Sequence, residues 1–352
     1  MATKPSSSPS SILTRFGKVL LWTLLGLFLL LGGLYLFGVI YFDGPLGNPK
    51  STGNLLLGLA WAATTLGLLF VLKTKAKRVL VITLSAAIVL IPWIPIQPSN
   101  QRDWKPEFLE TGWVDVEGDL LTFHNFRNFD YDAEGNATEN WETRRFHLSN
   151  LSGLDYFHDA FGGDLLAHPI ISFDFGEEGH VCLSIETRRE KTESFSALGG
   201  LFKMFELQYI FGSESDFIRV RTNVRNEPVY LYRMRATPEQ AREILFESIV
   251  VQNEMRDRPR WYNVITSNCT TSLRAQTPAE SRDKFDIRML INGKLDEYVH
   301  ERGAIADDGL SFEELRPRCL INDAARAQVQ AEGYSERVRL GRPGFSSSTA
   351  SQ

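Results

Sequence analysis

Hydrophobic residues follow two regimes along this chain of 352 residues. In the first hundred positions they form three long runs: Val19–Phe42, Asn54–Leu72 and Val79–Ile96, none of which contains a charged residue. A run of about 20 apolar residues crosses the hydrocarbon core of a bilayer, so the pattern predicts three membrane-spanning helices. A cleaved signal peptide is the competing reading of the first run, because Lys and Arg precede it. That run is too long for a typical signal core, and two more follow it. The third run closes on Pro92-Trp93-Ile94-Pro95, where Trp suits the membrane interface and Pro stops a helix.

From Gln101 onward the pattern is that of an α+β domain. Alternating or short apolar runs predict strands over Leu120–Phe126, Trp141–Leu148, Ile170–Phe175, Val181–Glu186, Phe217–Thr222 and Val229–Arg233. Gly176-Glu177-Glu178-Gly179 reads as the turn of a hairpin, and the Asp/Asn/Gly-rich stretch Asn128–Asn140 as a loop. Pro238–Arg256 is a helix capped by Thr237, with Pro238 in its first turn. Asp155–Asp159 is a plausible helix, and another begins after Cys269 over Thr270–Ala275. The expected fold is therefore a membrane-anchored α+β chain. Its parts are an N-terminus over 1–18, a three-helix anchor over 19–99, a folded domain over 100–340 and a disordered tail over 341–352, whose Ser-rich end is Ser346–Gln352.

Charge sets the orientation and excludes one class of partner. The loop Lys73–Arg78 is short and strongly basic, which places it in the cytoplasm by the positive-inside rule. The N-terminus is then inside and residues 100–352 are outside, which in a Gram-negative cell is the periplasm. Those residues carry 30 of the 38 basic and 42 of the 43 acidic side chains, a net charge of −12. An acidic domain is unsuited to nucleic acid, whose phosphates need a basic footprint. The spans contain no internal ionisable residue that would suggest a transport path.

Three cysteines, Cys182, Cys269 and Cys319, are too few for a disulfide framework. No Cys/His cluster has metal-ligand spacing and no Gly-rich loop has phosphate-binding spacing, so neither a metal nor a cofactor is expected. Cys182 lies in an apolar strand and reads as a core thiol, and Cys319 near the tail reads as incidental. Cys269 sits where an extended run becomes a helix start, and the positive end of a helix favours the thiolate. A cysteine nucleophile needs a base and a third group that orients it. Among the six histidines, His124 and His147 lie in strands and His180 at a turn where it should be solvated. His300 lies in a polar helical stretch, and His158 stays open as a second choice. His168 opens a strand, where a rigid end can present its ring. If Phe175 pairs with His180 in the hairpin, His168 faces Thr187, with Glu186 adjacent as the first choice for the third group. Arg188, Arg219 and Arg221, with Asn268 beside the cysteine, are candidate substrate-binding residues. Arg219 and Arg221 would share one face of a strand, and arginine forks match phosphate and carboxylate. Structural salt bridges are the competing reading of these arginines.

Six ordered motifs carry a resemblance over roughly residues 110–290. They are Phe126–Tyr131, Ala167–Phe175, Ser184–Glu190, Asp216–Asn223, Val229–Tyr232 and the stretch from Tyr262-Asn263 to Asn268-Cys269-Thr270-Thr271. The chain resembles the Lnb-type N-terminal periplasmic domain family. The resemblance implies a papain-like domain of the NlpC type in permuted order, with His before Cys. It also implies lipoprotein N-acyltransferase activity, with Cys269 as nucleophile, His168 as base and a phospholipid or lipoprotein as substrate. The chain departs from the family pattern in placing its spans before the domain. A periplasmic cysteine hydrolase and a catalytically inert envelope domain remain open as alternatives.

Overall fold

The computed structural model describes residues 9–276, 284, 286–327 and 331–345. The chain divides into two compact units: residues 1–97 with the segment Phe202–Met204, and residues 98–201 with 205–352. The low-complexity end Ser346–Gln352 lies outside the described residues. Gly341–Phe345, read from the sequence as the start of the tail, forms turns in which Gly344 donates its N–H to Asp308 and Phe345 packs on the domain core.

The first unit contains helices α1 (Pro9–Asp43), α2 (Thr52–Val71) and α3 (Lys75–Trp93), each long and apolar enough to cross a membrane. Polar side chains tie them together where no water competes. Trp61 Nε1 donates to the Ser85 carbonyl at 3.2 Å, and the hydroxyls of Thr65 and Ser85 are 2.9 Å apart. Buried Asn54 accepts from the Leu46 N–H and so fixes the turn between α1 and α2. Gly38 is needed at its position: a Cβ there would lie 2.2 Å from the Phe202 ring, which stacks on Phe42. Pro92 falls in the last turn of α3, which ends at Trp93 as the sequence predicts.

The second unit is a mixed α+β domain around an eight-stranded sheet. Its strands are β1 (Trp113–Glu117), β2 (Leu120–Arg127), β5 (Trp141–His147), β6 (Gly153–Asp159), β7 (His168–Asp174), β8 (His180–Arg188), β9 (Glu206–Gly212) and β10 (Val229–Arg233). Short strands β3 (Asp130–Tyr131) and β4 (Ala137–Thr138) form a separate hairpin. The order is β1-β2-β9-β8-β7-β6-β10, with β5 on β2, and all pairings are antiparallel except the single β2–β9 contact. The sheet is flanked by helices α4 (Glu214–Arg219), α5 (Pro238–Asp257) and α6 (Cys269–Gln276). Thr237 and Gln240 close a reciprocal cap at the start of α5.

Alternation along the strands divides the buried side chains between two faces. One face gathers the apolar Phe157, Ile170, Cys182 and Ile210 against Phe217 and Ile218 of α4. The same face carries Asp155, Asp159, Ser172, Ser184 and Glu186, so it needs buried partners. Arg339, in the C-terminal helix Tyr334–Arg339, reaches Asp155 at 2.7 Å and Glu214 at 2.5 Å. Arg127 forks onto Asp216 at 2.8 and 3.0 Å, and Asp216 also accepts from the Phe129 N–H and the Tyr131 hydroxyl.

Three local expectations are corrected. Phe217–Thr222 is not a strand: Ser213 caps α4 by accepting from the Asp216 N–H, and a π-helical turn over Val220–Val224 follows. Arg219 and Arg221 therefore do not share a strand face. Asp155–Asp159 is not helical but lies in β6, whose seven residues are all buried. The β7–β8 hairpin pairs Asp174 with His180, one residue away from the expected register, because buried Phe175 leaves the extended conformation and joins the loop. His180 is also not solvated: both ring nitrogens are buried, with Nε2 3.8 Å from Asp174.

Asp216→Ala should destabilise the full chain by about 3–5 kcal/mol, because it leaves the Arg127 charge buried without its partner. Urea unfolding in detergent checks this, and a change below about 1 kcal/mol, the range of an exposed pair, would contradict it.

Candidate active site

The site forms where β7 ends against the start of α6. Pro169 has no N–H to donate, and the pairing of β7 with β8 stops one residue further on, at Ile170–Ser184. His168 therefore stands at a strand end that β8 does not cover. Continuing the observed register places Glu186 opposite it on the same polar face. His168 Nε2 lies 2.7 Å from Ser184 Oγ and 3.3 Å from Glu186 Oε1. The Ser184 hydroxyl donates to Glu186 Oε1 at 2.6 Å. Arg221 Nη2 donates to the same oxygen at 3.0 Å, and Arg221 Nε donates to Asp159 at 2.9 Å.

Cys269 is the first residue of α6 and is 8% exposed. Asn268 caps the helix: its Oδ1 accepts from the Thr271 N–H at 2.7 Å, and Thr271 Oγ1 accepts from the Asn268 N–H at 2.9 Å. The remaining Asn268 amide donates to the Val264 carbonyl at 2.6 Å. Asn268 thus sets the helix start, and its side chain is engaged within the protein. The amides of Cys269 and Thr270 belong to the first helical turn, which has no intrahelical acceptors.

Asn292 joins the two halves. Its side chain accepts from the Ala167 N–H at 2.8 Å and donates to the Ala167 carbonyl at 2.7 Å. The same amide nitrogen lies 3.1 Å from Thr270 Oγ1 and 3.9 Å from Cys269 Sγ. One side chain therefore holds the residue before His168 and the start of α6 in register. Gly293 is required beside it, since a Cβ there would lie 2.2 Å from the Asp164 backbone. Cys269 is close enough to His168 to be among the groups that raise its pKa.

Burial disfavours a charged imidazole, yet the Glu186 carboxylate and the hydrogen bonds to Cys269 and Glu186 outweigh it and hold the His168 pKa at about 9. Burial likewise disfavours the Glu186 carboxylate, but His168, Arg221 and Ser184 depress its pKa well below the carboxylate range.

A cleft of about 470 Å³ opens over Cys269, His168 and Glu186. Tyr262, Asp159, Arg221, Lys105, Arg189 and Arg225 are among the other residues that line it. Of the arginines expected to bind substrate, only Arg221 reaches the cleft. Arg188 is buried against the 100–111 segment, donating to the carbonyls of Phe108 and Leu109 and lying over the Trp104 ring. Arg219 is tied to Asp130 and the Tyr131 carbonyl. His158 is buried on the opposite face of the sheet, between the Tyr156 hydroxyl at 2.6 Å and the Gly293 carbonyl at 3.2 Å. Cys182 and Cys319 are buried in the core, where burial raises both thiol pKa values, that of Cys319 to about 12. Among the described residues no group of three His, Cys, Asp or Glu is placed to hold a metal ion. Ser184 and Asn292 are the site residues that sequence reading missed. Ser184 alone had a signal, since it precedes Glu186 by two on the same strand face.

Residues 137–293 match the family model of the Lnb N-terminal periplasmic domain. Together with the three helices long and apolar enough to cross a membrane, the match supports membrane anchoring with a periplasmic domain. The match begins after β1 and β2, although both strands belong to the same sheet. No curated protein and no solved structure matches the chain.

Glu186→Gln should move the His168 pKa from about 9 to below its ordinary 6.5, because burial then acts unopposed. Ring-proton NMR titration of the full chain reads this, and a value still near 9 would contradict the assignment of Glu186 as the partner. In the unmodified protein the stabilisation linked to His168 is complete below pH 6.5 and is lost as pH rises through about 9. Its acid limit is set by Glu186, below the carboxylate range.

Proposed function

We propose that the protein is a membrane-anchored cysteine acyltransferase acting on a phospholipid or lipoprotein, with Cys269 as nucleophile. The observation that carries this reading is the constellation itself. A cysteine at a capped helix start and a histidine partnered by Ser184 and Glu186 line one cleft, and the cysteine is among the groups that raise the histidine's pKa.

In this mechanism Cys269 and His168 share one proton; with it on His168, the Cys269 thiolate attacks an ester or amide carbonyl. The carbonyl oxygen becomes an oxyanion, which the amides of Cys269 and Thr270 are placed to receive. Collapse breaks the bond to the leaving group, which takes the proton from His168. The acyl-thioester then passes to an amine, with His168 accepting the proton of that amine. Glu186 orients the imidazole and stabilises its charged form, and Arg221 keeps Glu186 ionised. Tethering to the membrane favours lipid substrates by raising their local concentration. The basic Lys73–Arg78 loop supports an inner-membrane orientation with the N-terminus in the cytoplasm and the domain outside.

A hydrolase would use the same first half and deliver the acyl group to water. The charged lining of the cleft, with Lys105, Glu107 and Glu227, favours this second reading because it admits water.

Cys269→Ser should abolish acyl transfer from labelled phospholipid to an N-terminal cysteine peptide in proteoliposomes, by on the order of 10⁴-fold, while the protein stays folded. Undiminished transfer by the folded variant would refute the nucleophile. Release of free fatty acid in place of acylated peptide by the unmodified protein would select the hydrolase.

A further inference from the structure

The cleft also gathers positive charge that is only partly paired. Arg189, Arg225 and Lys105 line it, and a second hollow of about 250 Å³ opens on the far side of the same arginines. Arg221 also lies at this junction, but Asp159 and Glu186 neutralise it. Arg189 is held more loosely, by one long ion pair and by the Phe108 ring under its guanidinium. Its Nη2 stands 3.9 Å from Glu107, beyond hydrogen-bond range, and its buried Nε has no hydrogen-bond partner. Among the described residues, the Arg225 guanidinium and the Lys105 ammonium make no hydrogen bond or ion pair. Glu227 lines the same cleft; burial and the charge of Asp159 raise its pKa, while Arg225 and Arg221 act the other way.

Placing Arg189 and Arg225 side by side costs mutual repulsion, and burying an arginine N–H without an acceptor costs more. In a domain whose net charge is −12, acids to quench them would be easy to supply. Arginine forks and a lysine point charge suit tetrahedral oxyanions, which present several acceptor oxygens at once.

We infer that Arg189 and Arg225, at the junction of the two hollows, form a phosphate-binding subsite with Lys105 of the cleft lining. The phosphate is that of a lipid headgroup, whose ester carbonyl it would hold over Cys269. This use of the subsite rests on the acyl-transfer reading.

The test measures alkylation of Cys269 by N-ethylmaleimide in the full chain in neutral detergent micelles, with added dioctanoyl phosphatidylglycerol, inorganic phosphate or dioctanoylglycerol. Phosphatidylglycerol should protect Cys269 several-fold and dioctanoylglycerol should not, the difference being one charge-assisted phosphate contact set. Arg225→Gln, an exposed change that the fold tolerates, should raise the protecting concentration about tenfold, and Arg189→Gln with Arg225→Gln should raise it further. Protection by inorganic phosphate with the same dependence on both arginines identifies free phosphate as the source and keeps the subsite. Equal protection by dioctanoylglycerol, or an unmoved midpoint in Arg225→Gln, overturns it. Such a failure alongside intact acylation of Cys269 would remove the subsite and leave the acyl-transfer reading. Intact protection without any acylation would do the reverse.

Discussion

Glu186 is a carboxylate on the polar face of a sheet whose central strands are buried on both sides. A buried charge of this kind persists only when it is paired and hydrogen-bonded. Its Oε1 receives the Ser184 hydroxyl and Arg221, and it lies 3.3 Å from His168. Arg221 in turn is fixed by Asp159 and the Phe217 carbonyl. The π-helical turn after α4, which brings Arg221 under the sheet, is thus part of the site as much as β7 is. Removing Arg221 would leave two buried carboxylates facing each other. The orientation of His168 depends on a segment that never touches the sulfur.

A second constraint acts from the other side. Asn292 clasps both backbone groups of Ala167 and reaches the first turn of α6. The distance between His168 and Cys269 is therefore set by backbone hydrogen bonds and not by packing alone. A strand end and a helix start are each rigid, and one amide side chain keys them together. This is the arrangement expected where reacting groups must be held within a few tenths of an ångström.

The membrane spans were legible because run length alone decides them. Cys269, His168 and Glu186 were legible as neighbours because helix starts and strand ends have local signals. The hairpin register was off by one, since nothing in Phe175-Gly176 announces that Phe175 turns inward to be buried. Even so, Glu186 was within the reach of that slip. Arg219 and Arg221 were misplaced because Phe217-Ile218-Arg219-Val220-Arg221 alternates like a strand. Tertiary packing of Phe217 and Ile218, with the Ser213 cap, overrides that pattern. Asn292 had no signal: it lies 23 residues beyond Cys269, in a short 3₁₀ turn, and its role exists only in three dimensions.

The central claim is that Cys269 carries the acyl group. Intact-protein and peptide mass spectrometry after incubation with phospholipid membranes, with acid quenching, tests it most directly. The account predicts one acyl mass on the Cys269 peptide, removable by hydroxylamine and absent from the peptides of Cys182 and Cys319. A Cys269 that stays unmodified while another residue takes the acyl group, or while transfer proceeds, would contradict it.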